Sequence, residues 1–191
     1  IEYVGKYGKW ANVYRGVDLD TGGAVACKVA NKQFLRPEFE NLQQLAGVAE
    51  IVQSFGLADI AHSAEGVLFL EYLAPPEWLT LIDFLNKIVA GELPPVSVTY
   101  LKHFIREFAE ASMGTRKHGM ALSERGPKNI MISFVPWGDN GQYVPKLKMI
   151  DVHRIYGVKE TEELKQALIR QVVGYTIWHL VYDKVRYSTR A

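Results

Sequence analysis

Cysteine is almost missing. Cys27 is the single one in 191 residues, so an intramolecular disulfide is excluded and a reducing compartment, cytoplasmic or nuclear, is the expectation. Long apolar runs are missing too. No stretch approaches the roughly 20 apolar residues of a membrane span and no secretory pattern opens the chain, so no membrane partner is expected. Neither sign of charge dominates, with 22 Lys and Arg against 21 Asp and Glu and a net charge of +1. Without a long basic run, nothing points to a nucleic-acid surface. Five histidines are present, none with a second His or Cys at metal spacing, so no zinc site is expected. Repeats and low-complexity segments are lacking. The first residue is Ile1 rather than methionine, and the chain reads as an excerpt.

Apolar material is plentiful, at 48% of residues with 12% aromatic, enough for a core in one domain or two small lobes. The first third reads as strands: Glu2 to Val4, Ala11 to Val17 and Ala24 to Val29, with the hairpin signal Asp20-Thr21-Gly22-Gly23 between the last two. Pro37 to Leu45 reads as a helix with proline in its first turn, and Ile51 to Leu57 and Val67 to Leu73 as two further strands. The expectation is a five-stranded antiparallel sheet with one helix. After Pro75-Pro76 the texture turns helical, with candidates at Leu79 to Val89 and Val98 to Thr115; in the second, Leu101, Phe104, Ile105, Phe108 and Ser112 share a face. Strands Ile130 to Ile132 and Leu147 to Ile150 flank a hairpin tip at Pro136 to Gln142. A last helix opens at Thr161 with the stripe Leu164, Leu168, Val172 and Tyr175.

Lys28 ends an apolar strand, Val25-Ala26-Cys27-Lys28. Alone, such a lysine reads as an edge-strand residue pointing to water; buried, it demands an acidic or phosphate partner. Ahead of it, Gly8 supplies the small residue that a tight turn over a phosphate needs. Downstream, Asn129 and Asp151 end two neighbouring strands, and an amide oxygen beside a carboxylate suits a hard cation.

In this order and spacing the parts resemble the protein kinases over essentially the whole chain. Val25-Ala26-Cys27-Lys28 looks like the third-strand lysine motif, and Glu38 the helix glutamate that pairs with the lysine. Leu68 to Leu73 looks like the hinge strand, with Leu70 at the gatekeeper position. Ala121 to Ile130 resembles the catalytic loop, with Glu124 in the base position and Asn129 in the second metal position. Asp151-Val152-His153 stands where the metal-binding Asp-Phe-Gly would be. The resemblance implies an α+β, bilobal fold: an N-lobe over 1–73, a hinge near 71–77, and a truncated helical C-lobe over 74–191. It implies ATP and Mg²⁺ as cofactors. Glu124, Lys28 and Glu38 would be catalytic; Gly8, Val13, Ala26, Lys28, Leu70, Glu71 and Leu73 would hold the nucleotide; Asn129 and Asp151 would hold the metal.

The chain also departs from that pattern. Lys6 and Ala11 replace two loop glycines, Leu122 and Ser123 replace a His-Arg pair, and Val152-His153 replaces Phe-Gly. Glu124 replaces an aspartate and adds a methylene. A shift of roughly an ångström at a reacting group can cost about a hundredfold in rate. The Lys28–Glu38 spacing is short and Pro37 puts Glu38 at the expected helix start, so Glu40 is the fallback partner. After Asp151 there is no Ala-Pro-Glu, and Gln166 to Tyr182 resembles the central hydrophobic helix with Val173 near its usual aspartate. Three functions stand open: a pseudokinase acting as a signalling or interaction module on a protein partner, an active protein kinase using Glu124 on a protein substrate, and a small-molecule phosphotransferase of related fold.

Overall fold

The computed structural model describes residues 2–7, 10–122, 127–137, 142–152 and 155–157. Within them the fold is α+β. Its main sheet is five-stranded and antiparallel: β1 (Glu2–Tyr7), β2 (Ala11–Val17), β3 (Ala24–Asn31), β4 (Ser54–Asp59) and β5 (Glu65–Glu71), in the order β1-β2-β3-β5-β4. The β2–β3 turn is set by Asp18, whose carboxylate accepts from the Asp20 N–H and the Thr21 hydroxyl, both at 2.9 Å. Gly22 closes it with a φ of 71° that glycine adopts without strain.

β3 is the middle strand rather than an edge, which overturns the expectation that a lone lysine there points to water. Lys28 is 8% exposed. Its strand partners are Val13 on β2 and Leu68 on β5, and Ala26 stands opposite Leu70. Residues directly opposite share a face of the pleat, as do residues two apart. Val13, Ala26, Lys28, Leu68 and Leu70 therefore all lie on one side of the sheet.

Helix α1 (Lys32–Gln44) covers that side. It starts five residues before Pro37, contrary to the sequence expectation, because Asn31 caps it by accepting from the Gln33 N–H at 3.0 Å. Pro37 sits inside the helix, where it cannot donate to the turn before it. The helix continues through it on a buried stripe of Leu35, Glu38 and Leu42, the i, i+3, i+7 pattern of a core-facing surface. The strand expected from Ile51 begins at Ser54 instead. Ile51 and Val52, both nearly fully buried, dock on a later strand near Met149 through an Ile51–Met149 bridge and a Val52 N–H to Met149 carbonyl bond of 3.0 Å.

The second half holds β6 (Trp78–Thr80), α2 (Leu81–Val89), α3 (Val98–Lys117), β7 (Met120–Leu122), a 3-10 turn (Pro127–Asn129), β8 (Ile130–Trp137), β9 (Gln142–Met149) and β10 (Ile155–Gly157). Leu79, expected to open a helix, is in β6, and α2 begins after Thr80, whose hydroxyl accepts from the Asp83 N–H at 3.1 Å. β6, β8 and β9 form one sheet, and β7 pairs with β10. β8 and β9 form the expected hairpin but run further: Pro136, Trp137 and Gln142 are in the paired ladder, not the tip. Helix α3 buries Phe104, Phe108, Ala111, Ser112 and Thr115; Leu101 and Ile105, expected on that face, are half-buried. The expected helix from Thr161, with Leu164, Leu168, Val172 and Tyr175, lies outside the described residues, as does Gln166 to Tyr182. One hydrophobic cluster runs from Leu35 and Leu68 through Ile51 to Phe104, Ile132 and Leu147, joining both halves.

Gly114 on α3 shows how close this packing is. A Cβ there would lie 2.6 Å from Val48 Cγ1. Alanine gains about 1 kcal/mol of helix propensity over glycine, whereas forcing an extra methyl into a packed contact costs about 1–3 kcal/mol. Gly114→Ala is expected to lower the unfolding free energy by about 1 kcal/mol in urea titration, the reverse of its effect on an exposed helix.

Candidate functional site

A cleft of about 370 Å³ opens between the main sheet and the β6–β8–β9 sheet. One wall is the sheet face derived above, with Val13, Ala26, Lys28 and Leu70. The back is the link Glu71, Tyr72, Leu73 and Pro75, and the opposite wall carries Trp78, Leu79, Met131 and Ile150. Ala26, smaller than its neighbours Val13, Lys28 and Leu70 on this wall, leaves room on the main-sheet side of the cleft. Leu73 adds polarity at its edge: among the described residues its backbone N–H and C=O make no backbone hydrogen bond. An apolar cleft with backbone polar groups at one rim suits a planar heteroaromatic ring.

The charged end is built on Lys28. Its ammonium donates to both Glu38 carboxylate oxygens, at 2.9 and 2.8 Å, and to Asp151 Oδ1 at 2.7 Å. Those three bonds use all three ammonium protons. Glu38 is 2% exposed, a carboxylate in a helix stripe otherwise occupied by leucines, and the lysine is what permits its burial. Burial works against the charge on Lys28, but Glu38 and then Asp151 outweigh it and hold the ammonium above its ordinary pKa. Two carboxylates, Glu38 and Asp151, thus converge on one ammonium at the end of the cleft.

Asp151 lies on the cleft wall with a left-handed φ of 64°, a conformation that aspartate tolerates better than most residues. Asn129 is 2% exposed and its carbonyl accepts from the Ile150 N–H at 2.9 Å, which puts it next to Asp151. Its side-chain oxygen is buried with no hydrogen-bond partner among the described residues. A buried oxygen lacking a donor next to a carboxylate is a donor set that fits a hard cation such as Mg²⁺.

Of the residues singled out in the sequence, Lys28, Glu38 and Asp151 meet directly, Asn129 adjoins them, and Val13, Ala26, Leu70, Glu71 and Leu73 line the cleft. Glu40 is exposed, and Lys28 takes Glu38 rather than this fallback. Gly8, Glu124 and His153 lie outside the described residues. Glu71 does more than offer backbone, since its side chain pairs with Lys148.

Sequence reasoning missed several cleft residues. Trp78, Met131 and Ile150 line the wall only because β6 and β8 pair beneath the main sheet, a long-range event with no local signature. Thr80 and Asp83 were legible as a Thr-x-x-Asp capping pattern, and their side chains share a 2.6 Å hydrogen bond at the cleft. Tyr72 lies on the cleft wall, with the Arg15 guanidinium 5.7 Å from its ring centre. Asn41 on α1 was also missed; its side-chain amide donates to the Val152 carbonyl at 2.9 Å. Away from the cleft, Glu50, Glu107 and Glu110 bring carboxylate oxygens within 4.8 Å of one another. Burial pushes the Glu107 carboxyl up, and Glu110 and Glu50 add to it.

No protein-family model matches the chain, and no curated protein matches it significantly. Among the described residues no helix is long and apolar enough to cross a membrane.

Proposed function

We propose that the chain is a bilobal, protein-kinase-like domain of degenerate type, a pseudokinase that binds ATP with Mg²⁺ in the cleft and serves as a signalling or interaction module. In this reading residues 1–73 are the smaller lobe, 71–77 the hinge, and 74–191 a truncated second lobe. The observation that carries it is the Lys28–Glu38–Asp151 cluster at the end of a largely apolar cleft. The apolar part would take adenine, with Leu73 at its rim. Lys28 would turn toward phosphate oxygens, and Asn129 with Asp151 would hold a metal whose charge would offset that of the phosphates. The altered glycine-rich loop, with Lys6 and Ala11, and Glu124 in the base position favour binding over efficient transfer. An active kinase with Glu124 orienting an acceptor hydroxyl is the second reading, favoured by the fully formed Lys28–Glu38 pair. Glu124→Ala separates the two: a catalyst loses turnover with its fold intact, and a module loses nothing measurable.

The direct test is a thermal-shift titration with ATP, with and without Mg²⁺, on wild type, Lys28→Ala and Lys28→Arg. A ligand at a hundredfold excess over its Kd stabilises by about 2.7 kcal/mol. The expected result is a Mg²⁺-dependent shift in wild type that is lost in Lys28→Ala and reduced in Lys28→Arg, where a planar fork replaces a point charge. No shift under any condition would remove nucleotide binding from the reading.

A further inference from the structure

Asp151 holds a left-handed backbone conformation, and for a residue other than glycine that persists only where neighbouring contacts enforce it. Lys28 fixes the carboxylate from one side. The residue that follows, Val152, is 1% exposed, so its carbonyl is withdrawn from water and needs a donor from the protein. The donor is the side-chain amide of Asn41 at 2.9 Å. Asn41 stands three residues after Glu38 on α1, so both side chains project from neighbouring positions on the helix. The helix thus grips the site twice: Glu38 holds Lys28, and Asn41 holds the main chain next to Asp151. Neither element holds Asp151 alone, since β9 ends at Met149 and Asp151 lies in no strand or helix.

We propose that Asn41 is the positioning residue that locks the Asp151–Val152 backbone to helix α1 and so sets the metal affinity of the site. A movement of α1 is then transmitted to the Asp151 carboxylate through a hydrogen bond, not only through the Lys28 ion pair. This rests on the reading of the cleft as a metal–nucleotide site, but the main-chain lock can be measured without any ligand. Asn41 touches neither nucleotide nor metal. It acts as an outer partner of a metal-holding group, a class of contact whose removal typically weakens metal binding about 10–100-fold.

The test compares wild type with Asn41→Leu, which has nearly the same volume and no donor, and Asn41→Asp, which keeps the shape but accepts only. The first measurement is amide hydrogen exchange on ligand-free protein. Peptides covering 149–152 are expected to exchange at least tenfold faster in both variants, while β2 and β3 keep their protection. The second is the ratio of ATP affinities with and without Mg²⁺, by calorimetry. That ratio is expected to fall about tenfold, with adenosine affinity unchanged; a merely structural role would lower all three affinities together. If Asn41→Leu fails to fold, Asn41→Asp carries both measurements. Unchanged exchange over 149–152 overturns the lock, whatever the ligand data show. Faster exchange with an unchanged Mg²⁺ ratio overturns the link to metal affinity. A wild type whose ATP affinity ignores Mg²⁺ overturns the metal–nucleotide reading and with it that link, while the exchange result still decides the lock.

Discussion

Lys28→Met is expected to remove roughly 3–5 kcal/mol of stability at neutral pH, the range seen when one partner of a buried ion pair is deleted. Set against a typical domain stability of about 5–15 kcal/mol, that is a large share. The size follows from what is left behind. Glu38 and Asp151, with side chains 2% and 20% exposed, would both lose the ammonium that stands between them. Screening by water is slight at Glu38 and greater at Asp151, so the cost falls mainly on Glu38. Lys28→Met/Glu38→Leu is accordingly expected to regain most of the loss, because apolar replacement of a buried pair is often neutral or favourable. Urea unfolding of the two single variants and the double variant gives the coupling energy. A loss under about 1 kcal/mol for Lys28→Met would mean that the cluster behaves as a solvated surface pair.

The same cluster gives the pH dependence a definite sign. The folded-state pKa of Lys28 is raised above the ordinary 10.5 by Glu38 and Asp151. The folded state therefore binds its proton more tightly than the unfolded state. The resulting stability is fully present below the unfolded pKa and is lost as pH rises through the folded one. Denaturation midpoints measured from pH 7 to 11 should fall at the alkaline end in wild type. In Lys28→Met that component should be missing, leaving a flatter profile. Lowering the pH should help Lys28→Met, as one of the two carboxylates takes up a proton.

The strands of the main sheet were readable because their alternation and turn residues are local. Ala11 to Val17 is bounded by Asp18 and the Gly22-Gly23 turn, and its limits coincide with β2. Helix α1 was misplaced at its start because Pro37 is the louder local signal, while the Asn31 cap and the buried Leu35 and Leu42 decide where the helix begins. That error, together with the short Lys28–Glu38 spacing, is what made Glu40 the fallback partner. With Glu38 moved to the seventh helical residue, it faces the sheet directly beneath β3. Residues that meet through β6, β8 and the Ile51–Met149 bridge could not be read locally, because each depends on pairing between distant segments. Chemistry-bearing side chains were legible by type and order: a lysine in an apolar strand, a glutamate in a helix stripe and an aspartate after a strand are each costly unless paired, and they pair with one another. Asn41 gave no such warning, because an asparagine on a half-buried helix face is ordinary until its partner carbonyl is known.

Asp151→Asn carries the largest expected effect on ligand binding, and its three readouts move in different directions. Asparagine tolerates the left-handed φ of this position and can still accept from Lys28, so the fold should persist. What changes is charge: of the two carboxylates about the Lys28 ammonium, one becomes a neutral amide. Free ATP, a polyanion, should then bind several-fold more tightly than to wild type, since about 3 kcal/mol of repulsion per unit-charge pair applies at roughly 5 Å and an effective dielectric of about 20 before screening reduces it. ATP with Mg²⁺ should bind more weakly, because on the proposed reading the metal would lose its charged ligand and keep only the Asn129 oxygen and a neutral amide. The Mg²⁺-dependent gain is therefore expected to shrink by roughly a hundredfold or more, since the loss of even an outer partner of a metal ligand costs about 10–100-fold. Adenosine, which on the proposed reading would occupy only the apolar part of the cleft lined by Ala26 and Met131, should bind as before. Calorimetric titration with adenosine, ATP and ATP–Mg²⁺ reads all three. A Mg²⁺ gain that survives the substitution would show that the metal is held without Asp151, and a loss of adenosine affinity would show that the cleft itself had been disturbed. Opposite shifts for free and metal-bound ATP with adenosine unchanged are the result expected of a carboxylate that repels the nucleotide until a cation offsets its charge.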